Sequence, residues 1–354
     1  MRFLPTDEQR DFARSLDAML TAADTPAVAR AWAAGDPAPG CALWARLGAA
    51  GVFALAAPEA YEGVGPLPVE LAHALVESGR HAVPGPLTET VAATALLAGL
   101  AARGEPAPAK RLLPGLVSGD TVATLAMADV SPYALDPDAA GPVFAVDGEE
   151  LRLAPGHEEI RVSADPVRRL ARPAPGGELL AAGPAVAAAA RHARDWALLA
   201  TAAQSLGVGL ALLDRTVAYA KQRTQFGTVI GSFQAVKHRL ADTLIGLEFA
   251  RPLLFGAALT FESGDLAAAK VAAGEAAHAA AATALQIHGA VGYTEELDLS
   301  LWLRKARPLR DAWGTPSWCR AQVLAAPGQG PASVRDRRAG RDRRAGRDQR
   351  EDGD

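Results

Sequence analysis

From Ala181 to Arg223 the sequence carries one long helix-periodic stretch. Its centre, Ala197 to Leu213, is apolar on almost every side, interrupted only by Thr201, Gln204 and Ser205. A helix without a polar face has to be surrounded by other elements. The apolar centre falls short of the ~20 residues a membrane span needs, so the stretch reads as the deeply buried helix of a bundle. Further helical patterns run from about Phe233 to Glu262, from Leu266 to Ile287, and from Leu297 onward. Together they point to a C-terminal four-helix bundle over 179–327.

The upstream sequence is helical as well. Thr6 and Gln9 have capping-box spacing, and Phe12, Leu16 and Leu20 then recur every four residues. Helical patterns cover Cys41 to Leu47, Val69 to Ser78 and Thr88 to Ala102, with Gly/Pro-rich joints such as Ala57 to Pro68 between them. An all-helical N-terminal domain over 1–112 is expected. Around Pro114 the character changes. Thr121 to Met127 contains β-branched residues, and Val143 to Val146 leads through Asp147-Gly148 into Leu151 and Leu153, a hairpin signal. Ile160 and Val162 suggest one more short strand before the Pro/Gly cluster from Pro173 to Gly177. The stretch 113–178 is therefore expected to be a reduced β middle module. After Val334 the sequence RDRRAG occurs at Arg335 and again at Arg341, with no apolar residue larger than alanine, which predicts a disordered charged tail over 328–354. The fold class is mainly α.

Composition removes several functions. The hydrophobic share of 49% supplies ample core, and a formal charge of −4 gives no basic field to draw the chain to nucleic acid or an acidic membrane. Cys41 and Cys319 are far apart and match no disulfide framework or zinc knuckle. Acidic residues in MRFLPTDEQR stand where a signal peptide needs an apolar core, so a cytoplasmic location is expected. The seven histidines form no metal-binding spacing. No nucleophile elbow, P-loop or dinucleotide fingerprint occurs.

Two segments carry the chemistry. In YAKQRTQFGTVIGSFQAVKHRLADT, from Tyr219 to Thr243, Gly227 and Gly231 allow a tight connection between helices. Arg223 supplies a planar cation suited to a pyrophosphate, and Gln234 stands at the next helix start, where an anion is favoured. In ALQIHGAVGYTEE, from Ala284 to Glu296, Gly289 permits close backbone approach.

Both segments resemble the signatures of the acyl-CoA dehydrogenases, as do LWLRKARPLRDAWGTPS and the N-terminal stretches FLPTDEQRDF, APEAYEGVG and ESGRHAVPGPLTET. The resemblance covers most of the chain. It implies FAD as cofactor, an acyl-CoA thioester as substrate, and Arg223, Phe226, Gln234, Gln286, Gly289 and Thr315 as cofactor-binding residues. In such proteins the bundle's signature residues mostly reach the flavin of an adjacent subunit, so an oligomer is implied. Ala290 replaces the family's usual second glycine, and His288 reads as packed at the turn.

The pattern breaks at the base. Dehydrogenation needs a carboxylate to take the α proton while a hydride leaves the β carbon for the flavin. In the family that glutamate commonly precedes Gly-Thr, and here Trp313 precedes Gly314-Thr315. Indole accepts no proton. The alternative position on the first bundle helix falls near Ala197, and Glu295 and Glu296 follow the turn as surface residues. Asp195 remains as the candidate base, although in the resemblance it matches an Asp-x-x-Arg pair at the CoA end whose arginine is here Leu198. The family's flavin-cradling Thr/Ser-Glu-Pro is replaced by Met127 to Pro132. The preferred expectation is a base-lacking subunit of a heteromeric, steroid-CoA type enzyme that completes a related subunit's flavin site. A self-sufficient homo-oligomer using Asp195 and a non-catalytic scaffold stand beside it.

Overall fold

In the computed structural model, which describes residues 4–161 and 163–326, helix α1 (Asp7–Thr21) starts at the expected capping box. The Thr6 hydroxyl accepts from the Gln9 amide at 3.2 Å, and the Gln9 side chain accepts from the Thr6 amide at 2.9 Å. Helices α2 (Thr25–Ala33), α3 (Ala38–Ala49), α4 (Pro68–Arg80), α5 (Leu87–Ala101) and α6 (Ala107–Ser118) complete the N-terminal part. α6 continues through Pro114, so the expected boundary at 112/113 falls inside a helix.

The middle strands are β1 (Thr124–Met127), β2 (Ala134–Leu135), β3 (Val143–Asp147), β4 (Glu150–Leu153), β5 (Leu170–Ala171) and β6 (Glu178–Ala182). The main sheet has the order β1-β3-β4-β6, with β1 parallel to β3 and the other pairs antiparallel; β2 and β5 form a separate ladder. The expected hairpin is present, with Asp147 opposite Glu150 and Gly148 at φ 55°. Leu125, Met127, Phe144, Val146 and Leu151 share a buried cluster with residues of α5 and α6. Of the strand expected at Ile160 and Val162, the described residues show only an isolated bridge from Arg161 to Leu170; Val162 lies outside the described residues. β6 was unexpected. Its residues, up to Ala182, pair with β4 across the expected boundary at 178/179, and the helix expected from Ala181 starts at Pro184.

The remaining elements are α7 (Pro184–Gln222), β7 (Thr224–Gln225), β8 (Thr228–Val229), α8 (Gln234–Thr260), α9 (Ser263–His288), α10 (Leu299–Asp311) and α11 (Pro316–Ala325). α7 is packed by α4, α5, α8, α9 and α10, and its most apolar stretch is wholly buried, as its lack of a polar face requires. Glycine sets one crossing: a Cβ on Gly207 would lie 2.0 Å from the Val76 carbonyl oxygen of α4. The last helix expected from Leu297 is two helices. Trp313 at φ 59° and Gly314 at φ 154° break the chain between α10 and α11. The expected charged tail, 328–354, lies outside the described residues.

Candidate functional site

The expected site residues fall into two groups. The first gathers at the C-terminal end of α7. Arg223 caps that helix in extended conformation, is exposed, and makes no ion pair among the described residues. β7 and β8 form a hairpin whose two turn residues, Phe226 and Gly227, have φ 56° and 79°. Positive φ at both positions matches the twist of a tight two-residue hairpin, and it holds Phe226 almost fully exposed, 92%, in a T-shaped pair with Phe233. α8 then begins at Gln234 with Phe233 as N-cap and no side-chain cap, so amides of its first turn are left for an external acceptor.

The glycine turn lies alongside. His288 ends α9, donates from Nδ1 to the Ala284 carbonyl at 2.8 Å, and stacks on Tyr219 of α7 with ring centroids 4.1 Å apart. Burial holds its imidazole below the usual histidine range, and the bond to the Ala284 carbonyl offsets this in part. Gln286 and Gly289 are exposed; Gly289 has φ 64°, and nothing lies within 4 Å of where a Cβ would stand. An unpaired guanidinium, uncapped helix amides and an open glycine turn fit the diphosphate end of a dinucleotide. Arg223, Gln234, Gln286 and Gly289 would hold it there.

The second group surrounds Trp313. Its indole is buried, 1% exposed, in a cluster that includes Ala92, Ala93 and Leu96 of α5, Ala193 and Ala197 of α7, and Leu125 and Phe144 of the sheet. The small alanines leave room for the two rings. Nε1 donates to Glu89 Oε1 at 2.9 Å, and Glu89 Oε2 is buried with no partner. Burial pushes the Glu89 carboxyl up, with Arg168 and the Trp313 N–H opposing. Lys270 fixes the turn from the other side by donating to the Leu309 and Arg310 carbonyls at 2.7 and 2.8 Å. Thr315 is exposed and caps α11 by accepting from the Trp318 amide at 3.3 Å.

Sequence reasoning missed Glu89. Its partner is 224 positions away, and no local pattern distinguishes it from a first-turn helix acid. The structure places Asp195 elsewhere: it accepts from the Ser263 hydroxyl at 3.0 Å, and burial raises its carboxyl. On α7 it points away from Ala193 and Ala197, two residues distant on either side. The segment from Met127 to Pro132 folds back on itself, with Met127 and Ser131 exchanging backbone hydrogen bonds of 2.9 Å. The residues around Trp313 do not fit a flavin ring, because protein side chains occupy the space.

Leu198, which lies against Gly314, is on α7, and Arg223 is the cap of the same helix. Arg223 is 25 positions further along, roughly 37 Å at about 1.5 Å per residue. Within one chain the two groups do not face the same bound molecule. A cleft of about 410 Å³ on the middle module, lined by Ala126, Arg152 and Arg172 among others, contains none of the expected site residues.

Comparison with known proteins identifies the fold. Residues 6–120 match the family model for the acyl-CoA dehydrogenase N-terminal domain, and residues 187–326 match that for the C-terminal domain. The chain belongs to the acyl-CoA dehydrogenase family, FAD-dependent oxidoreductases acting on CH–CH groups. It is similar to acyl-CoA dehydrogenase IpdE2 of Mycobacterium tuberculosis, with 34% identity over 303 residues covering 84% of this chain and 91% of the relative. Among solved structures, the Tcur3481-Tcur3483 steroid ACAD matches with TM-score 0.79 and 25% identity over 92% of this chain and 99% of the other. A chain of the ChsE4-ChsE5 complex from Mycobacterium tuberculosis matches in fold, with TM-score 0.75 and 24% identity over 93% and 100%.

Proposed function

We propose that this chain is the base-lacking subunit of a heteromeric acyl-CoA dehydrogenase. It completes a flavin site whose catalytic glutamate belongs to a related subunit. The observation that carries this reading is the buried Trp313 bonded to Glu89: the position that needs a carboxylate holds an indole, and the surrounding space is protein core. When bound, FAD supplies the hydride acceptor. This chain's part is to bind and orient, with the Arg223 guanidinium and the amides at the start of α8 neutralising the diphosphate, Phe226 packing beside it, and Gln234, Gln286 and Gly289 bounding it. Thr315 lies apart from that group, on the surface as the N-cap of α11.

The surface of α8 supports an oligomer. Leu244, Ile245, Phe249, Leu253 and Leu259 are all exposed on it, an apolar face that a lone soluble chain would not ordinarily present. The similar structures whose titles pair two chains, ChsE4-ChsE5 and Tcur3481-Tcur3483, support a heteromer, and the second, titled a steroid ACAD, supports a steroid-type acyl-CoA thioester. The test is purification of the chain alone and with a related subunit, encoded nearby, that carries glutamate before its Gly-Thr. The pair is expected to be yellow and to oxidise acyl-CoA. Robust acyl-CoA oxidation by the chain alone would overturn the proposal.

A further inference from the structure

Tyr219 and His288 belong to neither group of expected binding residues, yet they lie between the two flavin-facing segments. Tyr219 is four residues before Arg223 on α7, and its carbonyl accepts the Arg223 amide at 2.9 Å, closing the last turn before the hairpin. His288 is the residue immediately before Gly289 and the last of α9. The two rings stack at 4.1 Å with an interplanar angle of 23°. Because Nδ1 donates to the Ala284 carbonyl, the imidazole is fixed in rotation and Nε2 is left as an acceptor. Among the described residues Nε2 has no hydrogen-bond partner.

We infer that Tyr219 and His288 are a positioning pair that sets the distance between the Arg223 hairpin and the Gly289 turn, so that the two segments grip one dinucleotide diphosphate as a single clamp. The inference rests on the proposed flavin-completing role. The physical reason is entropic. Arg223 and the Gly289 turn are each on the surface at the end of a long helix, and among the described residues no ion pair or strand ladder joins them. Held separately, each would have to be ordered when the ligand binds; held by the stack, that cost is met on folding. A stack of flat rings suits this role because it fixes the separation of two helix ends without adding charge beside the anion.

The experiment uses the complex of this chain with its related catalytic subunit and reads FAD affinity and turnover at saturating FAD separately. His288→Ala removes the stack and Nε2 together, His288→Phe restores a ring without Nε2, and Arg223→Ala reports on the underlying reading. The pair predicts that His288→Ala weakens FAD binding about tenfold, equivalent to about 1.4 kcal/mol, with turnover at saturating FAD within twofold of the parent. It also predicts that His288→Phe recovers most of the affinity. If Arg223→Ala weakens FAD binding and His288→Ala leaves it within twofold, the positioning pair is refuted and the flavin-completing role stands. If Arg223→Ala also leaves FAD binding unchanged, that role falls and the inference with it. A loss in His288→Ala that His288→Phe does not recover refutes positioning by the stack.

Discussion

Replacing Trp313 tests the closed pocket directly. Truncating a fully buried tryptophan to alanine costs about 3–5 kcal/mol for lost burial and the cavity left behind. Trp313 adds a second cost, because its N–H is the donor to Glu89 Oε1 and the other carboxylate oxygen has no partner. Leaving a buried acceptor unpaired costs about 1–3 kcal/mol, so Trp313→Ala is expected to lose roughly 4–8 kcal/mol, a large part of the 5–15 kcal/mol that holds an ordinary domain together. Trp313→Phe keeps most of the fill and loses the donor, and is expected to cost about 2–4 kcal/mol. Backbone conformation offers a finer check. Residue 313 sits at φ 59°, where glycine is unstrained, so Trp313→Gly should be more stable than Trp313→Ala by about 1 kcal/mol despite removing one more carbon. Urea unfolding of the series measures these differences, and added indole should raise the melting temperature of the glycine variant by refilling an apolar cavity. A Trp313→Phe variant as stable as the parent, with Glu89→Gln also neutral, would refute the idea that the Glu89 bond selects tryptophan here.

Asp136 is wholly buried, and burial pushes its carboxyl up to about 7, partly offset by the Arg169 amide. The folded chain then keeps that proton between about pH 4 and pH 7 where the unfolded chain has lost it. Its contribution to stability is full below that window and is lost as pH rises through about 7, and Asp136→Asn should flatten the slope in pH-dependent urea unfolding. Gly207→Ala places a Cβ against the Val76 carbonyl and should cost about 1–3 kcal/mol by thermal or chemical unfolding through forced separation of α4 and α7. Gly289→Ala should lower FAD retention in the assembled complex without changing its melting temperature by more than a few degrees, because its φ is strained for alanine while the space around it is open. Introducing aspartate at both Ile245 and Phe249 should leave the lone chain folded and abolish co-elution with its partner in size-exclusion chromatography.

The elements that local chemistry specifies were the legible ones. The Thr6–Gln9 cap, the Asp147-Gly148 hairpin and the apolar centre of α7 each depend on residues within a few positions of one another, and each formed as read. α2 was not legible because it starts from Asp24 in a left-handed conformation with no side-chain cap, and so lacks the usual opening signal. β6 was misread because Ala181 and Ala182 have no β character of their own; pairing with β4 makes them a strand. At the site, Trp313 was recognised as an indole where a carboxylate is expected. Its bond to Glu89 is a product of tertiary packing and left no trace in the spacing of either residue.

The bond between Trp313 and Glu89 also bears on how such a subunit evolves. Restoring the family's base with Trp313→Glu would set a second carboxyl group beside a buried one, and two carboxylates in a dry core cannot both ionise; one would hold a proton near neutrality. The reverted residue would share its proton with Glu89, and the collapsed alanine-lined space would still exclude a thioester. A carboxylate at position 313 alone therefore restores no working base; Glu89 and the alanines around it have to change as well.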